Sequence, residues 1–272
     1  MLLTAAVLLA GGAAAGALGA LLGVGGGILI VPLLTLGLHY PLSVAVGTSL
    51  ICVIATSSGA AAHYVRAGRA DVRLGVTLEV ATALGGIAGG LLAGVLPEEF
   101  IAGLFAVLML YTAFTLARAP AAVSDPAAVT GATEDSAVSH APRYRTRRLP
   151  AAMAGSFVAG NVSALLGIGG GVLKVPIIHL VMGAPLPVAV ATSNFIIGVT
   201  ASAGAVFYLF RGEVDPTVAG PVVLGVFAGA YVAARVAGRI RPAALRLVFI
   251  GLLLYVAVQM ALRAVGPLGL LA

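Results

Sequence analysis

A chain of 272 residues that is 61% hydrophobic and 9% charged is too apolar for an ordinary soluble domain, and its long charge-free stretches read as membrane spans. A single cysteine, Cys52, excludes an intramolecular disulfide and a cysteine-based metal site. The net charge of +6 sits in short connections between apolar runs, where it sets orientation in a bilayer and does not form a nucleic-acid surface.

In chain order the apolar runs cover about 2–38, 41–65, 72–96, 100–118, 150–183, 185–210, 216–238 and 243–264, eight segments in two sets of four. The first run opens with Met1 to Ala20, apolar and of signal-peptide length, but it lacks a basic n-region. Its counterpart, Ala151 to Leu166, opens the second set, so both are read as structure. Between the sets, residues 119–149 are rich in Ala, Pro, Ser, Thr and Asp and close on Arg143, Arg145, Arg147 and Arg148, the composition of a flexible surface linker. The expected division is a membrane unit at 1–118, the linker at 119–149 and a second membrane unit at 150–272.

A shift of 144 residues lays the two units on each other. Gly23-Val-Gly-Gly-Gly-Ile-Leu-Ile-Val-Pro32 falls on Gly167-Ile-Gly-Gly-Gly-Val-Leu-Lys-Val-Pro176, and Pro41, Thr48-Ser49, Tyr64 and Asp71 fall on Pro185, Thr192-Ser193, Tyr208 and Asp215. The halves are duplicates. As one helix of about 37 residues the first run of each half would reach roughly 55 Å, against a hydrocarbon core of roughly 30 Å. The GxGGG motif in its middle, with Pro32 or Pro176 behind it, predicts two shorter helices joined by a break.

Basic residues then orient the chain. Leaving aside Lys174, single crossings of all eight runs put ten on one side and four on the other; if the first run of each half enters and leaves on one side, the split is twelve to two. The second arrangement gives an odd number of crossings per half. It predicts an all-α membrane protein of two inverted four-segment repeats, with the linker in the cytoplasm and both termini outside.

In such a fold both Gly-rich breaks aim at the bilayer midplane, where exposed backbone is tolerated only beside a cavity or inside protein. Helices restarting there offer unpaired N–H groups to an anion. The expected binding set is Gly25, Gly26, Gly27, Thr48 and Ser49 from one half and Gly169, Gly170, Gly171, Thr192, Ser193 and Asn194 from the other. Its hydroxyls and amide donate to oxyanion oxygens without adding charge. The competing role for the glycines is close helix packing, which is the reading for isolated Gly85 and Gly229. Lys174, whose repeat partner is Ile30, is the basic residue embedded in an apolar run, and a bound anion would offset the burial of its ammonium. Glu79, paired with Val223 in the repeat, is the acidic counterpart and a candidate proton relay.

His39, His63, His140 and His179 have no metal-ligand spacing, so no metal or cofactor is expected. A cation carrier using Glu79 is the rival transporter reading. An intramembrane hydrolase is the rival enzyme reading: Ser57, Ser58 and Ser202 are intramembrane hydroxyls, and His63 lies one to two turns from Ser57 and Ser58.

The duplicated Gly23 to Pro32 and Gly167 to Pro176 motifs, each followed by Pro41 or Pro185 and by a Thr-Ser pair, resemble the TauE/SafE family of sulfite and organosulfonate exporters, small bacterial membrane transporters. The resemblance runs over the whole chain. It implies a multi-pass protein of the bacterial cytoplasmic membrane, not an enzyme, that moves a small sulfur oxyanion or organosulfonate such as sulfite, sulfoacetate or thiosulfate by alternating access. Self-association is compatible with it. The departures from repeat symmetry at Gly47 and Ala191, Leu50 and Asn194, and Ile30 and Lys174 predict an asymmetric site.

Overall fold

The computed structural model describes residues 2–22, 26–66, 70–118, 148–236 and 242–269. Gly25 and the linker up to residue 147 lie outside the described residues. The helices, in chain order, are α1 (Leu2–Leu22), α2 (Gly27–Pro32), α3 (Leu42–Arg66), α4 (Val72–Leu92), α5 (Glu98–Arg118), α6 (Leu149–Leu166), α7 (Gly171–Pro176), α8 (Leu186–Phe210), α9 (Pro216–Val236) and α10 (Pro242–Gly269). Among the described residues there is no strand. Six helices among the described residues are long and apolar enough to cross a membrane, namely α4, α5, α6, α8, α9 and α10, while α1 and α3 carry shorter apolar stretches, Thr4–Gly19 and Leu42–Ser58. Residues such as Leu247, Tyr255 and Leu262 on α10 leave apolar side chains on the outside, as a lipid-facing surface requires.

Local chemistry sets the helix ends. Asp71 accepts the Leu74 N–H at 2.9 Å and caps α4, while Asp215 accepts the Thr217 N–H at 2.8 Å and caps α9. These hydrogen bonds from Thr217 hold the Asp215 carboxyl below its ordinary value. Pro32 and Pro176 close α2 and α7, and in each case the next turn, Leu33–Gly37 or Ile177–Val181, is wound as a wider π-helical turn. A proline has no N–H for the carbonyl a turn earlier, so the ladder shifts there.

Packing crosses between the halves. Helix α1 lies on α9 and α6 on α4, while α3 packs against α8 and α5 against α10. The close approaches repeat under exchange of the halves: a Cβ at Gly16 would collide with the Val226 carbonyl oxygen and one at Gly160 with that of Thr82. Likewise Gly229 abuts the Ala13 carbonyl and Gly85 that of Phe157. Small residues let these backbones touch, which is how membrane helices gain dispersion energy where lipid offers no hydrophobic drive.

Chain directions follow from the same neighbours. Gly47, early in α3, lies against Tyr208 near the end of α8, and Ser57, late in α3, lies against Gly198 in the middle of α8, so these repeat-equivalent helices run in opposite directions. Gly26 sits beside Gly16, and Leu33 beside Gly11. Helix α2 and its π turn therefore run back along α1. Gly170 beside Ser163 and Ile177 beside Gly155 place α7 in the same way along α6.

Candidate functional site

The two breaks meet near the midpoints of α3 and α8. A Cβ at Gly27 would stand 2.7 Å from Val53 and 2.9 Å from the Gly167 carbonyl oxygen, and one at Gly171 would stand 2.7 Å from Ile197. Gly167, Gly169 and Gly170 have φ of 71°, 79° and 78°. Side chains are disfavoured in that left-handed region by roughly 1–2 kcal/mol, which explains glycine at those places. Gly26 differs, with φ of −65°.

Ser49 from one half and Ser163 and Ser193 from the other lie beside these breaks. Ser49 Oγ lies 2.6 Å from the Gly167 carbonyl and 3.0 Å from that of Gly27, so its proton ties the two breaks together. Thr192 Oγ1 accepts the backbone N–H of Asp71 at 2.9 Å. The repeat-equivalent groups are unsatisfied: Thr48 Oγ1 and Ser193 Oγ are buried without a hydrogen-bond partner, and so is Ser163 Oγ, beside Gly170. An orphaned buried hydroxyl costs about 1–3 kcal/mol, and two of the three, Ser163 and Ser193, lie beside Gly170 and Gly171 of the second break. Asn194 is half-buried on the same turn of α8 as Ser193. Ser163 is not evident from the sequence. Its repeat counterpart is Gly19, so duplication does not single it out.

Lys174 is not the unpaired ammonium that its apolar run suggests. It is 1% exposed, and its Nζ lies 3.3 Å from Glu79 Oε2 and donates to Thr200 Oγ1. Thr200 Oγ1 is 2.7 Å from Glu79 Oε1, and Thr82 Oγ1 is 2.8 Å from Oε2. Glu79, Thr82 and Thr200 are buried as well. The cluster forms because Gly75, Glu79, Thr82 and Gly86 recur at intervals of four, three and four and so share one face of α4. Gly75 and Gly86 let that face settle on α8, within 3.2 Å of Thr192 and 3.1 Å of the Thr200 carbonyl for an added Cβ. Helix α7, restarting after Gly170, then brings Lys174 in from the other half. The sequence marks Lys174 and Glu79 as separate charges in apolar runs and does not single out Thr82 or Thr200; the four-three-four stripe on α4 is the signal that points to the first of them.

Glu79 bonds one ammonium and two hydroxyls. Ser57 and Ser58 donate to the Ile54 carbonyl, and Ser202 donates to that of Gly198. These serines are back-bonded within their own helices. The His63 side chain lies outside the described residues.

Comparison with known proteins bears on the whole assembly. The family model described as Sulfite exporter TauE/SafE matches residues 8–260. The chain belongs to the TauE/SafE family. As a member it is similar to the probable membrane transporter protein YunE of Bacillus subtilis (strain 168), at 30% identity covering 80% of this chain and 83% of that one. YdhB, a probable membrane transporter protein of the same organism, is 28% identical over 79% and 82% of the two chains. The probable membrane transporter protein MJ0441 of Methanocaldococcus jannaschii is 25% identical over 71% and 68%. No solved structure matches the chain. A TauE/SafE protein of this kind is a multi-pass membrane transporter.

Proposed function

We propose that this protein is a secondary transporter that moves a small sulfur oxyanion or organosulfonate, such as sulfite, sulfoacetate or thiosulfate, across the bacterial cytoplasmic membrane by alternating access. The substrate class rests on the family description and on a site made of neutral donors. The observation that carries the reading is the pair of unpartnered buried hydroxyls of Ser163 and Ser193 beside Gly170 and Gly171, with Thr48 a third unpartnered buried hydroxyl in the other half. A tetrahedral oxyanion needs several donors at once, and backbone N–H groups with hydroxyls supply them without a counter-charge.

The inverted repeat belongs to this reading. The opposed directions of α3 and α8, and the doubling back of α2 and α7, support it. Helices approaching one point from both faces form a site that rocking of the halves exposes to either side in turn. The twelve-to-two split of basic residues supports a cytoplasmic linker and external termini.

The test is binding to purified variants in detergent, read by calorimetric or thermal-shift titration with sulfite and sulfoacetate. Gly26→Val and Gly170→Val each abolish binding in protein that still folds, because a side chain there fills the space beside the breaks. Binding that survives either valine would make the breaks packing features and move the site elsewhere.

A further inference from the structure

The buried charge cluster has no counterpart in the other half. The positions equivalent to Lys174, Glu79 and Thr82 are Ile30, Val223 and Val226, and only Thr200 has a polar equivalent, Thr56, which bonds back to the Cys52 carbonyl at 3.0 Å. Ile30 and Val226 are buried and Val223 packs against the same apolar core. The same helix crossing is therefore made without a charged side chain. A buried ion pair is generally no more stabilising than apolar residues of similar volume, so folding does not explain why these charges are kept.

Position suggests what does. Lys174 stands one turn beyond Gly170, to whose carbonyl its own N–H donates at 2.9 Å. Thr200 stands two turns beyond the unpartnered Ser193 on α8. The pair thus adjoins the proposed anion site, and it joins α4 of the first half to α7 and α8 of the second. The other charged or titratable groups on these packed elements lie towards their ends. They are Asp71 before α4 and Arg73 on it, Arg148 before α6, His179 with its Nδ1 2.8 Å from the Ala184 carbonyl, Tyr208 near the end of α8 with its hydroxyl donating to the Ala164 carbonyl at 3.0 Å, and Arg211 beside Glu213 and the Gly90 carbonyl. Lys174 is the charged side chain that faces Glu79 among the described residues.

Resting on the anion site proposed above, we infer that Lys174 and Glu79 form a proton-coupled exchange pair, in which one proton is taken up on Glu79 for each anion that binds. With both charged, the pair is neutral and Lys174 is committed to Glu79. An anion that draws the ammonium to itself would leave a lone carboxylate in a low-dielectric interior, which is strongly unfavourable. A proton from water on the Glu79 carboxylate removes that charge. The Nζ–H to Oε2 hydrogen bond breaks, the ammonium donates to an anion oxygen, and the neutral carboxyl keeps hydroxyl partners in Thr82 and Thr200. One positive and one negative charge enter together. A monovalent anion is then carried without net charge.

Methanesulfonate is the probe, because its charge does not change across the range used and any pH dependence belongs to the protein. In calorimetric titrations of the full chain between about pH 5 and 8, wild-type affinity rises about tenfold per unit fall in pH until it levels off, the slope of one bound proton. Weakly buffered solution loses one proton per anion bound. Glu79→Gln, neutral at every pH, binds with the plateau affinity throughout and takes up no proton, whereas Lys174→Met binds weakly and without pH dependence. Wild-type binding that is independent of pH, or a Glu79→Gln protein as pH-dependent as wild type, overturns the coupling alone. No binding by wild type of methanesulfonate or of sulfite at any pH overturns the anion site and the coupling with it. Thermal unfolding of each variant separates loss of binding from loss of fold.

Discussion

Two regions related by the 144-residue repeat use one backbone plan for different ends. Around α2, α3 and α9, Ile30, Val223 and Val226 fill the crossing with hydrocarbon; around α7, α8 and α4, the equivalent crossing holds Lys174, Glu79 and Thr82. The hydroxyls of the two Thr-Ser pairs also differ between equivalent positions, with one bonded and one unpartnered in each half. Ser49 and Thr192 are bonded, while their counterparts Ser193 and Thr48 have no partner. Duplication supplies a scaffold whose stability comes from close helix contacts repeated in both halves, and that leaves individual polar positions free to specialise.

The largest effect should come from breaking the pair on one side. Lys174→Met leaves the Glu79 carboxylate buried without its cation, and about 3–5 kcal/mol of stability is lost at neutral pH. Copying the other half with Lys174→Ile, Glu79→Val and Thr82→Val together should instead unfold within about 1 kcal/mol of wild type. Thermal and denaturant unfolding in one detergent compare them, and a triple variant as unstable as Lys174→Met would mean that the two crossings are not interchangeable.

A smaller contrast separates the breaks. Gly170→Ala forces a side chain to φ near 78° and should lose about 1–2 kcal/mol, whereas Gly26→Ala, at φ −65°, should lose less. Equal losses would show that neighbouring atoms and not backbone conformation set the sensitivity, since an added Cβ has close neighbours at both positions, 3.1 Å from Ser163 and 3.2 Å from Val226.

The smallest contrast is between the threonines. Thr192→Val removes the acceptor of the Asp71 N–H and should lower stability by about 1 kcal/mol. Thr48→Val removes a hydroxyl that has no partner, so it should be neutral or slightly stabilising in the ligand-free protein. Unfolding of the two variants side by side checks this, and a loss at Thr48 as large as that at Thr192 would mean that Thr48 is bonded in solution.

Much of the architecture is legible in one dimension, because hydrocarbon length and helix period are local properties. The apolar runs, the all-helical class, the duplication and the TauE/SafE membership all follow from patterns that survive without coordinates. So does the suspicion attached to Lys174 and Glu79, since a charge in an apolar run is visible wherever it ends up. Their pairing is not legible. The two residues are 95 positions apart in different halves and meet because a glycine-lined face of α4 settles on α8 while α7 turns back after Gly170. The same applies to the hydroxyls: Thr-Ser occurs twice in the sequence, but which member finds a carbonyl or an N–H depends on how two non-identical halves interlock. Covalent order decides which segments are apolar; only the tertiary structure decides which buried polar atoms are satisfied, because hydrogen bonding is short-ranged and a shift of an ångström makes or removes a partner.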